Sequence, residues 1–573
     1  AEALNDVQVM AGGPPPEYGG RIGGILDLAL RDGTRDRLSG TAGTGTLGSH
    51  LSLESPVGGA TSILVSGRRE YPEPAVPFLE YYGTPSRQGS SEVIVKLTNI
   101  LSASSRLYLS GYLGRDSYTN NVNGTQQHLD NNFSWGNSAA NARWIGIATP
   151  SLFLQASAVY TRYDLSLEQV LTRVGTPLPA GVSFSSEFAI EDMTIRAVAE
   201  HYYDLEHTFR AGVELTRHRM KGGISEFATQ NSPLSFNGSA FWETAVYVQD
   251  QWRLFPGMTA ELGARATSFT GGQGSMSAVD PRFSLLFSPG EETRVYASFS
   301  TVNQFIHSYR NSGVFLLYPA IFWYPSGENV KPSTSLQFRV GAEKGWNGDE
   351  FVGSAECYYR VVENLHDFGL DTTLTQTRNL EDDILYGTGK SYGLAFTLRR
   401  RIGDLTGSIG YTLSWGSNRF PSLNGGNAFA PRFDRRHEVQ FSASFAPDQD
   451  WRIGLLAVLA IESINLFPQP VAQLAAYQSP KARSAAGTPA WLVDVNGERY
   501  PGFQRLELQV LRAFSLAQMH CTLSLRLMNA YGLLDPFVWQ LQDNPDVRLK
   551  WNAALQNLKL FPLFPTVGLT VKF

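Results

Sequence analysis

The chain has two cysteines, Cys357 and Cys521, too distant in sequence to form a metal-ligand spacing or a disulfide framework. Each sits in a strand-like run and reads as small apolar filler. Charge is also scarce, at 17% of residues, and nearly balanced, with Lys+Arg 47 against Asp+Glu 52. The formal net charge of -5 excludes a strongly basic nucleic-acid binder, so no nucleic-acid partner is expected. Long hydrophobic runs are absent. The longest, Ile453–Ile461, is too short to cross a bilayer as a helix. Ala1 opens directly on a polar segment with no apolar leader core, so the sequence reads as a mature, processed product or as part of a longer one.

Catalytic signatures are missing as well. There is no HExxH, no GxSxG and no P-loop. His437 stands near Asp434, and the pair reads as an inward strand-end network rather than an acid–base couple. His366-Asp367 lacks a third partner, and His201 and His207 lack ligand spacing. The glycines of Gly40–Gly48 have no following helix to cradle a phosphate. Glu291-Glu292 and Asp382-Asp383 read as solvated loop charges. No enzyme activity, metal site or cofactor is expected.

What the chain does have is glycine, 55 residues of it, and rings, at 12% Phe, Trp and Tyr. Its 573 residues exceed the usual ceiling for one soluble core, so it has several domains or an architecture without a thick core. The closing stretch favours the second. Val567, Leu569, Val571 and Phe573 alternate with Thr566, Gly568, Thr570 and Lys572, one apolar face and one polar or small. The same alternation recurs upstream, as in Leu336, Phe338, Val340 against Gln337, Arg339, Gly341, and in Leu506, Leu508, Val510 against Glu507, Gln509. It runs from about Asp36 to the end with no linker.

Short turns recur at Pro56–Gly59, Ser102–Ser104, Phe255-Pro256, Pro289–Glu291, Asn347–Asp349 and Ala446–Asp450. Between them lie long loops, near 71–91, 117–133, 166–186, 220–237, 301–330, 364–385, 418–432, 462–501 and 532–560. Short turns at one end and long loops at the other mark a transmembrane β-barrel with lipid outside and a polar lumen. The runs number about 22, a size whose lumen is commonly plugged. With both barrel ends on the short-turn side, the first loop, near Gly45–Gly48, must be tight. Rings at strand ends, including Trp135, Trp144, Trp242, Trp252, Tyr358, Tyr359, Tyr411 and Trp415, suggest interfacial girdles.

Residues 1–35 differ from the rest. A short strand (Val7–Met10), a Gly/Pro-rich turn and a second strand (Gly24–Leu30) make a piece too small to fold alone. The run DVQVMAGGPPPEYGGRIGGILDLALRDG, with Tyr18-Gly19, Gly23-Gly24 and Arg31–Gly33, resembles the end of the plug domain of TonB-dependent outer-membrane receptors. Tyr247–Trp252, Gly263–Arg265, Asp280–Arg282, Asp434–His437, Met528–Tyr531 and Phe573 resemble strand-end landmarks of the same family. The subgroup it most resembles carries a carboxypeptidase-regulatory-like domain ahead of the plug.

The resemblance implies an all-β fold: residues 1–35 as the end of a plug and 36–573 as an outer-membrane barrel. It implies import of a ligand by plug remodelling, driven by a TonB-type energy-transducing protein at the inner membrane. A passive pore or a structural barrel of a larger envelope complex is the alternative. Other expected partners are outer-membrane lipid and a surface lipoprotein or other envelope protein on the external loops. Glu17, Tyr18, Arg21 and Arg31 are expected at the plug–barrel contact, with Arg21 or Arg31 paired to Glu343 or Glu507. In the loop 301–330, Tyr309, Phe322, Trp323 and Tyr324 form an aromatic segment expected to bind ligand, favouring one with flat apolar faces such as a sugar or peptide.

Overall fold

The computed structural model describes residues 2–71, 86–123, 127–173, 182–226, 234–236, 240–271, 274–310, 321–368, 381, 384–431, 434–464, 499–500, 503–531, 536–541, 555–559 and 563–573. No helix among them is long and apolar enough to cross a membrane; the chain crosses with strands. Twenty-two long antiparallel strands close into one barrel, and the short strands Leu234–Phe236 and Arg499–Tyr500 pair onto the ends of two of them.

The strands form because side chains two apart share a face, and each face meets a solvent that suits it. In Ala240–Phe255, Trp242, Val246 and Val248 are exposed on the outer face while Glu243 and Tyr247 are buried toward the lumen. In Ser333–Trp346, Phe338 and Val340 point out and Arg339 points in. The pattern inverts that of a soluble protein. Large aliphatics cover the exterior, and the buried polar set (Lys96, Thr98, His218, Glu243, Arg265, Asp280, Arg282, Glu507) lines the inside.

The barrel is sealed between Ser39–Gly45 and Phe564–Lys572, with Thr41 opposite Lys572 and Gly45 opposite Gly568. Gly40 and Phe573 exchange backbone hydrogen bonds of 2.9 and 3.0 Å at one end, and Thr46 N–H donates to Val567 at 2.9 Å at the other. The first turn is tight, pairing Thr44 with Ser49, as the strand parity requires. All the expected short turns fall at one end of the barrel. At Asn347–Asp349 the chain reverses through three successive left-handed residues, φ 54, 65 and 63, which Asn, Gly and Asp tolerate best.

Three expected loops are instead largely strand. Ser105–Asn123 and Gln127–Thr149 pair throughout 117–123 and 127–133, including Asn120 opposite Asn131, and Leu152–Arg173, Val182–Tyr202 and His207–Glu226 likewise extend into 166–186 and 220–237. A spanning strand needs only about 9–11 residues. These run to 23, so their outer halves stand above the membrane, where no lipid covers the outer face and strict alternation is no longer required. The girdle also needs correction. Trp242, Trp252 and Tyr359 are exposed on the outer face, but Trp135 packs inward beside Phe133, and Tyr358 lies between the lumen-facing Glu356 and Arg360. His437 is not inward either. Its Nδ1 meets Tyr411 Oη at 2.9 Å in the row that holds the outward Phe396.

Candidate functional site

The N-terminal segment forms a two-stranded hairpin, Leu4–Met10 with Ile25–Leu30. Its polar contacts reach barrel strands from Gly48–Pro56 round to Phe351–Phe368, which only a position inside the lumen allows. Val7 pairs with Leu28 and Val9 with Leu26, so one hairpin face carries four exposed aliphatics.

The connection between the two strands, rich in Gly and Pro, has few hydrogen bonds of its own. The barrel wall supplies them. Arg339 Nη1 donates to Gly12 O at 2.7 Å, Arg282 Nη1 to Pro14 O at 2.8 Å and also to Pro15 O, and Arg265 Nη1 to Glu17 O at 3.2 Å. Arg360 donates to Ile22 O. These arginines come from four strands, and three of them are held in turn by the wall: Arg265 by Glu214 at 2.8 Å, Arg339 by Glu356, and Arg360 by Ser335 at 3.0 Å. Arg265 is 1% exposed, so its charge needs that partner. The glycines fit this arrangement. A Cβ at Gly19 would strike the Arg265 side chain, and Gly13 adopts φ 62 over the hydroxyl of Ser298.

Glu17 meets Arg210 at 2.7 Å. Tyr18 stays within the segment, donating to Asp27 at 2.9 Å, and burial together with that bond raises its pKa. Arg31 pairs with a lumen carboxylate at 2.6 Å, but with Glu54, and it also donates to Glu2 O at 2.8 Å. Arg21 donates to its neighbour Gly20 O at 2.7 Å, lies 5.9 Å from the ring of Trp323, and acts electrostatically on Glu243. Neither expected carboxylate is its partner: Glu343 takes Arg294 at 3.0 Å and Glu507 takes Arg505 and Arg526. Alternation places both carboxylates inside but leaves their height in the barrel open. Asp32 receives Lys96 at 2.7 Å and Thr98 at 2.9 Å. Burial opposes its charge, yet those bonds outweigh it and hold its pKa below the usual carboxylate value.

At the long-loop end, Ile306–Arg310 and Ile321–Pro325 form a second hairpin inside the mouth. It buries its rings against the wall. Tyr309 is 2% exposed, packed with Leu165, Phe188, Val330 and Ile384, while Phe305 stacks on Phe269 with centroids 5.3 Å apart. Tyr309 Oη meets His366 Nδ1 at 2.6 Å, and Tyr324 donates to Glu381 at 2.8 Å. Trp323 packs against the wall clusters and faces Arg21. Phe322 is the Cα partner of Tyr309 in the ladder; its side chain lies outside the described residues. The exposed aromatic patch expected for ligand is thus a largely self-buried hairpin, because a strand pair crowded into a barrel mouth finds apolar wall before it finds solvent.

The two parts touch through a residue the sequence reading passed over. Gln304 accepts from Ile22 N–H at 3.0 Å and donates to Ile306 O at 2.7 Å, so one amide joins the N-terminal segment to the mouth hairpin. The four arginines form no visible group in the sequence, although parity against Phe338 and Val340 places Arg339 inside, and Arg265 and Arg282 end the GAR and DPR landmarks.

A family model described as "TonB dependent receptor-like, beta-barrel" matches residues 75–530. Among solved structures, the chain is similar to BauA, the ferric preacinetobactin receptor from Acinetobacter baumannii, with a TM-score of 0.69 and 11% identity, covering 100% of this chain and 86% of that one. It is similar also to the copper transporter OprC, with a TM-score of 0.68, 14% identity and coverage of 100% and 86%. A third is the ferric-catecholate import receptor Fiu from K12 E. coli, at 0.65, 12%, 100% and 86%. At such identities the likeness is one of fold. A search of curated protein sequences finds no match. The profile match over most of the chain, on a closed barrel with aliphatics outside and ion pairs within, makes this protein a member of the TonB-dependent receptor-like β-barrel family, an outer-membrane receptor or transporter and not an enzyme.

Proposed function

We propose that the protein imports a ligand across the outer membrane, that residues 1–35 are the end of its plug, and that a TonB-type protein supplies the work that remodels it. The single observation that carries this reading is the Gln304 bridge. A ligand pressing on the hairpin Ile306–Arg310 and Ile321–Pro325 from outside moves Ile306, and the same amide holds Ile22 of the lumen segment. Trp323 over Arg21 is a second contact between the same two parts. The solved structures named above are a ferric preacinetobactin receptor, a copper transporter and a ferric-catecholate import receptor, and this chain is proposed to share the route rather than the cargo. Trp323 and Tyr324, half-buried, are the rings through which a ligand with flat apolar faces would engage the hairpin. The seat proposed for a surface lipoprotein is the external loop 462–501, most of which lies outside the described residues.

The test uses a thiol on the lumen wall. Ser298→Cys, beside Gly13, in a background lacking Cys357 and Cys521, is labelled in living cells with a membrane-impermeant maleimide. Labelling is expected to need an energised membrane and the TonB-type protein, and to fall in Gln304→Glu, which keeps the acceptor for Ile22 N–H but repels the Ile306 carbonyl. Equal labelling with and without the energy transducer would instead support a passive pore or structural barrel.

A further inference from the structure

We infer that the outer wall of the barrel carries a binding site for one anionic phospholipid of the periplasmic leaflet, held in a groove headed by Lys344. The groove has a volume of about 590 Å³ and lies between Ser333–Trp346, Phe351–Phe368 and Ile384–Arg400. Ala342 and Ala355 are cross-strand partners, and so are Lys344 and Gly353, which leaves the floor low. Phe396 and Leu398, partners of Ala355 and Gly353 on the next strand, rise as one wall, and Trp346 rises as the other. Trp346, Phe396 and Leu398 are all exposed on the lipid side, so the groove opens to hydrocarbon and not to the lumen.

Its position along the strand sets the kind of occupant. Trp346 immediately precedes the turn Asn347–Asp349, at the short-turn, periplasmic end of the barrel. An indole there marks the membrane edge. Lys344 is exposed beside it, and its ammonium meets the Thr293 hydroxyl at 3.3 Å, a neutral partner, with no ion pair to a carboxylate among the described residues. Arg400, in the next row toward the rim, is neutralised by Glu350 at 3.0 Å, and Glu343, whose backbone borders the groove, gives its carboxylate to Arg294. Lys344 is therefore the charge that a lipid in the groove meets. An acyl chain fills the apolar trough, and the ammonium reaches up to a phosphate at the headgroup level. A trough without the cation would hold any lipid. With it, a lipid of net negative charge is preferred over a zwitterionic one with the same chains. This inference rests on the barrel's orientation in the membrane and not on the import reading.

The experiment is native mass spectrometry of the detergent-purified protein, titrated with phosphatidylglycerol or phosphatidylethanolamine of identical chains. Folding of each variant is checked by heat-modifiable gel mobility. Wild type is expected to retain one phosphatidylglycerol in preference to phosphatidylethanolamine. Lys344→Gln lowers phosphatidylglycerol occupancy about fivefold, equivalent to about 1 kcal/mol, and leaves phosphatidylethanolamine unchanged. Ala355→Leu fills the floor from the lipid side and lowers both. Equal retention of the two lipids by wild type, or a preference that survives Lys344→Gln, overturns the proposal. So does a groove that takes lipid A but not phosphatidylglycerol, which would assign it to the outer leaflet.

Discussion

Arg282 shows how much a single side chain can do in this lumen. It is 6% exposed, stands beside Asp280, and spends its guanidinium on the carbonyls of Pro14 and Pro15, which have few other donors to turn to. Prolines lack the N–H that would let the segment bond to itself, so the wall must supply donors and the segment acceptors. A fixed fork of donors suits two adjacent carbonyls better than an ammonium does. Arg282→Ala is expected to weaken docking of the N-terminal segment by about 1.5–3 kcal/mol, the usual worth of a hydrogen bond to a charged group. Amide exchange at Gly12, Gly13 and Glu17 should rise correspondingly while the outer strands stay protected. Unchanged exchange there would mean that the remaining arginines carry the dock without it. The sequence marks Arg282 only as part of DPR. Its parity points inward, but nothing in a linear pattern says which backbone atoms wait across a lumen.

At the scale of elements, the mouth hairpin carries a pH dependence whose sign follows from its burial. His307 is 3% exposed, bonded through Nε2 to Ser326 Oγ at 2.9 Å, with Nδ1 3.5 Å from Ser333 Oγ. Burial first, then His366 with ring centroids 3.9 Å away, then Arg21, push its pKa down to about 2. Tyr309, Tyr324, Tyr386 and Glu381, titratable groups that also lie at this hairpin, do not reverse that. Docked, the ring stays neutral; released, it takes a proton near 6.5. Docking is therefore fully supported above the free value and weakens as pH falls below it, by up to about tenfold per pH unit. Between pH 7.5 and 5.5, the opening constant across Ile306–Arg310, read as amide exchange relative to the intrinsic base-catalysed rate at each pH, should rise about tenfold, and His307→Asn, which cannot titrate, should reduce the change. A wild-type hairpin indifferent to this pH step would show that some other contact pins it. Strands themselves were legible wherever lipid meets one face, since the apolar row then has to alternate, as in Phe338 and Val340. Above the membrane the rule relaxes, and the Asn-rich stretch around Asn120 and Asn131 reads as loop although it is ladder.

The whole molecule poses a question of balance between wall and filling. The wall is self-sufficient: its seam from Gly40 to Thr46 closes on Val567 to Phe573 without help from residues 2–38. The lumen segment is the reverse, a lone hairpin that in water would be marginal at best. It keeps its place through Arg31–Glu54, Lys96–Asp32, Arg210–Glu17 and the arginines that bind its backbone, contacts spread round the lumen. Partly wet ion pairs hold weakly one by one and can be released in sequence, whereas a dry apolar interface would have to be broken at once. A filling fixed this way can leave without unfolding its container. Deleting residues 2–33 should accordingly leave a barrel with unchanged heat-modifiable mobility. In planar bilayers the deleted form should pass more current than the intact chain, to the extent that the mouth hairpin permits. Adding His307→Asn at neutral pH should not open it further, because the hairpin's own wall contacts through Phe305 and Tyr309 remain. A deleted barrel that conducts no more than the intact one would place the barrier at the mouth hairpin, and one that no longer folds would make the arginine row part of the wall's own stability.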